Sequence, residues 1–244
     1  MSRPLRSTQD AAPRRAGPVR LALAGATGLI GGRLIAISSA SEECRIVGIA
    51  RREVPLAEGA RVEVFVAEPD RWGEIFEAVR PRALISALGT TWKKAGRNEA
   101  AFRGVDQDLI LATARAAHAA GVPNMVLVSA AGADARSKNV YMRVKGETEA
   151  MVSKVGFRRL DILRPGLLRG ERANDRRLLE RLGILASPMV DPLLPEKWAS
   201  FRSIDADIVA EAALFLSQRR AQGRFTHDNE AMKRAAREWR GRAS

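Results

Sequence analysis

Short apolar runs alternate with longer mixed segments along this chain, and glycine, proline or charge bounds most of the runs. Val19 to Ala24, interrupted only by Arg20, reads as a buried strand. Helical spacing follows through Leu34 and Ile35 to about Ser39. The same reasoning predicts a second strand at Arg45–Ala50, a third at Val62–Val66, a helix at Trp72–Val79 and a fourth strand at Ala83–Leu88. A long helix is expected from about Asn98 to Ala120, stopped by Gly121 and Pro123. Met125–Val128 is the predicted fifth strand, Val140–Val155 a helix, Leu160–Leu163 the sixth strand, and Asp205–Leu216 a further helix. This alternation predicts an α/β fold, a doubly wound and mainly parallel sheet with helices on both faces.

The first strand runs directly into Gly25-Ala26-Thr27-Gly28-Leu29-Ile30-Gly31-Gly32 and then a helix. Strand, glycine turn and helix together make a nucleotide cradle: the glycines allow a tight turn and close backbone approach, and the helix N-terminus attracts a pyrophosphate. The spacing is G-x-x-G-x-x-G rather than G-x-G-x-x-G. Gly25, Thr27, Gly28, Leu29, Ile30 and Gly31 are therefore candidate cofactor contacts. At the end of the second strand, where an NAD site usually carries a carboxylate, this chain has Arg51 and Arg52. Paired guanidiniums suit a 2′-phosphate, so NADP (NADPH) is the expected cofactor.

Candidate chemistry centres on Tyr141, the only tyrosine. Lys145 follows it by four residues, on the same helix face. A phenol ordinarily titrates near ~10, so it needs a neighbouring cation to act as an acid–base group at neutral pH, and Lys145 can be that cation. Ser129, at the end of the fifth strand, can position a substrate carbonyl against the phenol.

Taken together, these segments resemble the short-chain dehydrogenases/reductases, within them the atypical branch that includes the Tat-interacting-protein oxidoreductases. The resemblance is carried by Gly25 to Gly31, Leu88-Gly89-Thr90-Thr91, Val105-Asp106, Ser129 to Asp134, Tyr141-x-x-x-Lys145-Gly146-Glu147 and Arg164-Pro165-Gly166, in that order over roughly residues 19 to 220. It implies a Rossmann-like sheet, a nicotinamide cofactor, and Ser129, Tyr141 and Lys145 as the catalytic set, Lys145 also holding the nicotinamide ribose. Leu88, Gly89 and Thr90 would pass the cofactor's ribose side, and Pro165, Gly166 and Leu167 would flank the nicotinamide. One position departs: many members have an asparagine where this chain has Asp106.

Composition adds boundaries. The net charge is +13, of which residues 1–20 contribute +4 and residues 219–244 contribute +5. The middle therefore carries +4, ordinary for a domain that binds an anionic cofactor, and no specific nucleic-acid partner is expected. The single Cys44 excludes an internal disulfide and is expected to pack as a small apolar residue. His118 and His227 lack companions at ligand spacing, so no metal is expected. No apolar run reaches the ~18–20 residues of a membrane span, and the N-terminus lacks a secretory apolar core. The expected organisation is a disordered basic tail over 1–17, one NAD(P)-binding domain over 18–227, and a basic C-terminal helix over 228–244. Within the domain, an apolar, proline-punctuated insert over about 167–200 would form the substrate-side wall. Met232, Ala235, Ala236 and Trp239 form an apolar stripe expected to dock that last helix onto the domain. The expected function is an NADPH-dependent reductase of a small hydrophobic carbonyl compound, placed in the cytoplasm, with a homodimer compatible. A weakly catalytic NADPH-sensing interaction protein is the alternative.

Overall fold

The computed structural model describes residues 17–170 and 202–243. The expected tail before Gly17 and the insert beyond Gly170 lie outside the described residues. Strands β1 (Val19–Ala24), β2 (Cys44–Ala50), β3 (Val62–Val66), β4 (Ala83–Ser86), β5 (Asn124–Val128) and β6 (Arg159–Leu163) follow the predicted apolar runs to within two residues. With β9 (Gly223–His227) they form one parallel seven-stranded sheet in the order β3-β2-β1-β4-β5-β6-β9. A two-residue parallel pair, β7 (Leu168–Arg169) and β8 (Ile204–Asp205), stands apart.

Strand alternation divides the core into two layers. Leu21, Leu23, Ile85 and Val126 face α1 (Leu29–Ser39), α6 (Ala206–Ser217) and α7 (Asn229–Ala243). Ala22, Ala24, Leu84, Met125 and Leu127 face the other layer, with Trp72 and Phe76 of α2 (Trp72–Val79) and Ile110 and Ala114 of α4 (Ile110–Ala119). Both faces of the central strands are covered, which is why those strands read as nearly continuous apolar runs. The stripe Met232, Ala235, Ala236 and Trp239 is buried, and α7 packs along α6. Cys44 is fully buried, and burial pushes its thiol up to about 12.

Two of the expected elements differ in extent or continuity, and strand β9 has no counterpart in the sequence expectation. The helix expected as one piece is α3 (Glu99–Arg103), a π-helical stretch at Gly104–Leu109, and then α4. Strand β4 ends at Ser86: Ala87 still donates to the Ala24 carbonyl at 2.8 Å, but beyond it the chain leaves the sheet as a loop. A helix α5 (Val140–Val152) follows β5, and the Asn139 side chain caps it by accepting from the Met142 amide at 3.2 Å.

Candidate active site

The glycine turn connects β1 to α1 beside the start of the loop after β4, at the carboxyl end of the sheet where the strand order reverses. Gly25 has φ +99°, and a Cβ there would lie 2.5 Å from the Ala87 carbonyl. At Gly31 a Cβ would stand 2.1 Å from the Gly25 carbonyl oxygen. Only glycine permits either approach. Gly28 is the N-cap of α1; no side chain caps this helix and no acidic residue occupies its first turn. Its leading N–H groups and positive dipole end are thus open to an anion. Thr27 is exposed, Leu29 half-buried and Ile30 buried into the core. Arg51 and Arg52 are exposed immediately after β2.

Helix α5 carries the second half of the site and meets the loops after β4 and β5. Gly146 lets it approach closely, since a Cβ there would meet the Ala135 amide nitrogen at 2.2 Å. Tyr141 is half-buried, its ring 5.4 Å from that of Phe102, which in turn packs edge-on to Trp92 at 5.8 Å. Lys145, one turn on, is buried with its Nζ 2.7 Å from Oδ1 of the fully buried Asp106. The other Asp106 oxygen accepts from the Thr90 amide at 2.7 Å. Gly89 lies over this pair: a Cβ there would come within 3.3 Å of Asp106 Oδ1 and 3.6 Å of Lys145 Nζ. The loop containing Leu88, Gly89 and Thr90 is thereby tied to the lysine of α5.

Ser129 is engaged elsewhere. Its hydroxyl donates to Glu149 Oε1 at 2.5 Å, and Glu149 is held in turn by a forked contact from Arg164, with Nη2 2.5 Å from Oε2. This contact raises the Arg164 pKa further above its ordinary value. Pro165 accepts from the Ala131 amide at 2.8 Å, the Gly166 amide donates to Asn229 at 3.0 Å, and Leu167 is exposed. The loops after β5 and β6 are thus laced together beside the sheet's carboxyl end. Glu149 was not singled out from sequence, although it follows Lys145 by four residues and therefore shares its face.

The remaining candidates have structural partners. His227 Nε2 lies 2.8 Å from Asp161, and His118 packs on Phe157. Among the described residues no helix is long and apolar enough to cross a membrane.

Comparison with known proteins gives three findings. The NAD(P)H-binding family matches residues 25–189. The mitochondrial protein fmp52 of Aspergillus clavatus is 35% identical over 203 residues, 80% of this chain and 85% of that protein; the mitochondrial FMP52 of Candida albicans is 34% identical over 206 residues, 82% and 88%. The solved structure of MoeE5 in complex with UDP-glucuronic acid and NAD superposes with a TM-score of 0.66 at 14% identity, covering 86% of this chain and 76% of that one. The likeness to MoeE5 speaks for the Rossmann-like fold. The names of the fungal relatives correct the expectation of a cytoplasmic protein: they point to the mitochondrion. That expectation rested on a missing secretory core, a lone cysteine and the reading of the weakly amphipathic, Arg- and Ser-containing residues 1–17 as a disordered tail rather than a transit peptide, none of which separates the cytoplasm from another reducing compartment.

Proposed function

The chain belongs to the NAD(P)H-binding family, and from that premise we propose that this oxidoreductase-like protein is an NADPH-dependent reductase of a small hydrophobic carbonyl compound. The observation that carries this reading is the seating of Lys145 and Tyr141 on α5, with Lys145 bound through Asp106 to the loop after β4 that passes beside the glycine cradle. Gly25, Gly28 and Gly31 with the α1 N-terminus would hold the pyrophosphate, and Arg51 and Arg52 the 2′-phosphate. Leu88 to Thr90 and Pro165 to Leu167 would border the nicotinamide half. Bound there, the cofactor supplies a hydride for the carbonyl carbon. Tyr141 delivers the proton to the carbonyl oxygen, and Lys145 keeps a positive charge beside the developing oxyanion. For Ser129 to donate to that carbonyl, its hydroxyl must turn away from Glu149.

That last requirement favours a second reading, an NADPH-sensing interaction protein with little turnover, because the one hydroxyl proton of Ser129 is committed to Glu149. The two readings separate in one experiment. NADPH oxidation is followed with hydrophobic aldehydes, ketones and quinones for wild type and Tyr141→Phe. The reductase reading expects turnover to fall by ~10²–10⁴ with NADPH affinity nearly unchanged. Absence of turnover by the wild type across all three classes, with NADPH still bound, gives the sensor reading its place.

A further inference from the structure

At the end of the sheet opposite the glycine cradle, the strand register aligns four arginines. Arg20 of β1 pairs with Arg45 of β2. Arg61 precedes Val62, the register partner of Ile46, so it is level with Arg45 on the β3 side. Arg82 precedes Ala83, the partner of Leu21, and its amide donates to the Arg20 carbonyl at 2.8 Å. The row Arg82, Arg20, Arg45, Arg61 therefore crosses four adjacent strands at a single register level. With strands about 4.8 Å apart it spans roughly 14 Å.

These residues line an open cleft of about 1190 Å³, together with Arg80 and, among the described residues, a single carboxylate, Glu63. Arg80 enters it from the end of α2 with φ +48°. None of the five guanidiniums has an ion-pair or hydrogen-bond partner among the described residues. Several arginines elsewhere are paired with carboxylates: Arg33 with Asp207, Arg103 with Glu99 and Glu147, Arg159 with Asp161, Arg164 with Glu149 and Arg240 with Glu211. Arg45 is the most telling member, because its Nη1 is buried with no acceptor. A buried guanidinium nitrogen without an acceptor is costly, and arginines on strands spaced about 5 Å apart concentrate like charge on a scale comparable with the ~8 Å screening length of physiological salt. One occupant resolves both problems: an anion with several acceptor oxygens.

We propose that this cleft at the amino-terminal end of the sheet is a second anion site, which binds a ligand carrying clustered phosphate groups through Arg82, Arg20, Arg45 and Arg61. Arginine forks match phosphate oxygens bidentately. The cleft is concave and of the order of a small-molecule site, typically ~300–1,000 Å³, so it suits a compact multi-phosphate group. That chemistry has two sources, a free polyphosphate and the headgroup of an anionic phospholipid at a bilayer surface.

Tripolyphosphate is titrated calorimetrically into the full chain, alongside flotation with phosphatidylcholine vesicles with and without phosphatidic acid. Saturable binding of one tripolyphosphate is expected, weakened at least ~10-fold in Arg20→Gln/Arg45→Gln and again in Arg61→Gln/Arg82→Gln, and unchanged in Arg51→Ala/Arg52→Ala on the cofactor side. Flotation only with phosphatidic acid, lost in the same two variants while tripolyphosphate stays inert, assigns the site to a headgroup. Binding that depends on Arg51 and Arg52 but not on Arg20 and Arg45 overturns the site, and so does absence of binding in both arms. Arg45→Lys keeps the charge without the fork and gives intermediate affinity if phosphate is held bidentately.

Discussion

Lys145 Nζ and Asp106 Oδ1 face one another at 2.7 Å across the α5 and π-helical segments, in a pair almost wholly withdrawn from water. Removing one member of such a pair strands the other charge, a loss of ~3–5 kcal/mol, whereas removing both is nearly neutral. Lys145→Met and Asp106→Leu should each unfold at distinctly lower urea. The double variant should recover most of the difference, giving a coupling that denaturant titration of the four proteins reads directly. Simple additivity would mean that the pair is not formed.

A second expectation concerns cofactor choice. If Arg51 and Arg52 meet a 2′-phosphate, Arg51→Ala/Arg52→Ala should lose ~1.5–3 kcal/mol per charge-assisted contact in NADPH affinity and little in NADH affinity. Calorimetry with both nucleotides tests it; equal affinities in the wild type would remove the preference.

Gly31→Ala tests the cradle. The added carbon would stand 2.1 Å from the Gly25 carbonyl oxygen, so backbone must move. Nicotinamide nucleotide binding should fall below detection in a thermal-shift assay, while Gly32→Ala, whose Cβ would meet nothing within 4 Å, should bind as wild type.

Acid should loosen α5 from α3. The Arg103 guanidinium, 2.5 Å from Glu147, holds its carboxyl below the ordinary glutamate value. A carboxylate whose folded pKa is lowered stabilises the fold fully above its unfolded value near ~4.3, and that contribution disappears as pH falls through the lower folded value. Because Glu147 is partly exposed, the effect should be under ~1 kcal/mol. Stability measured from pH 7 downward should therefore decline less steeply below about 4.3 in Glu147→Gln than in the wild type.

Much of the sheet was legible because β1, β2, β4, β5 and β6 are covered on both faces and must be apolar. Strand β9 was not. Its Gly223-Arg224-Phe225-Thr226-His227 lies at the sheet edge, mostly exposed, and Arg159 stacks on Phe225 at 4.3 Å where an apolar neighbour would have left a hydrophobic run. At the candidate site, residue identities and spacing marked the glycine turn, Tyr141, Lys145 and Ser129. They could not reveal that Ser129 donates to Glu149 or that Asp106 faces Lys145. Those contacts join positions 20 and 39 residues apart, and their geometry is set by how α5 packs, not by any local pattern.

The π-helical stretch sets the phase between two halves of one long helix. Residues after Leu109 turn Ile110 and Ala114 toward the sheet, while residues before Gly104 turn Phe102 toward Tyr141. A π-turn closes over one more residue than an α-turn, so it shifts the facing of the residues that follow it by roughly one position. The extra backbone in that turn therefore acts as a fixed angular offset. It lets a single continuous segment serve the core at one end and the tyrosine at the other.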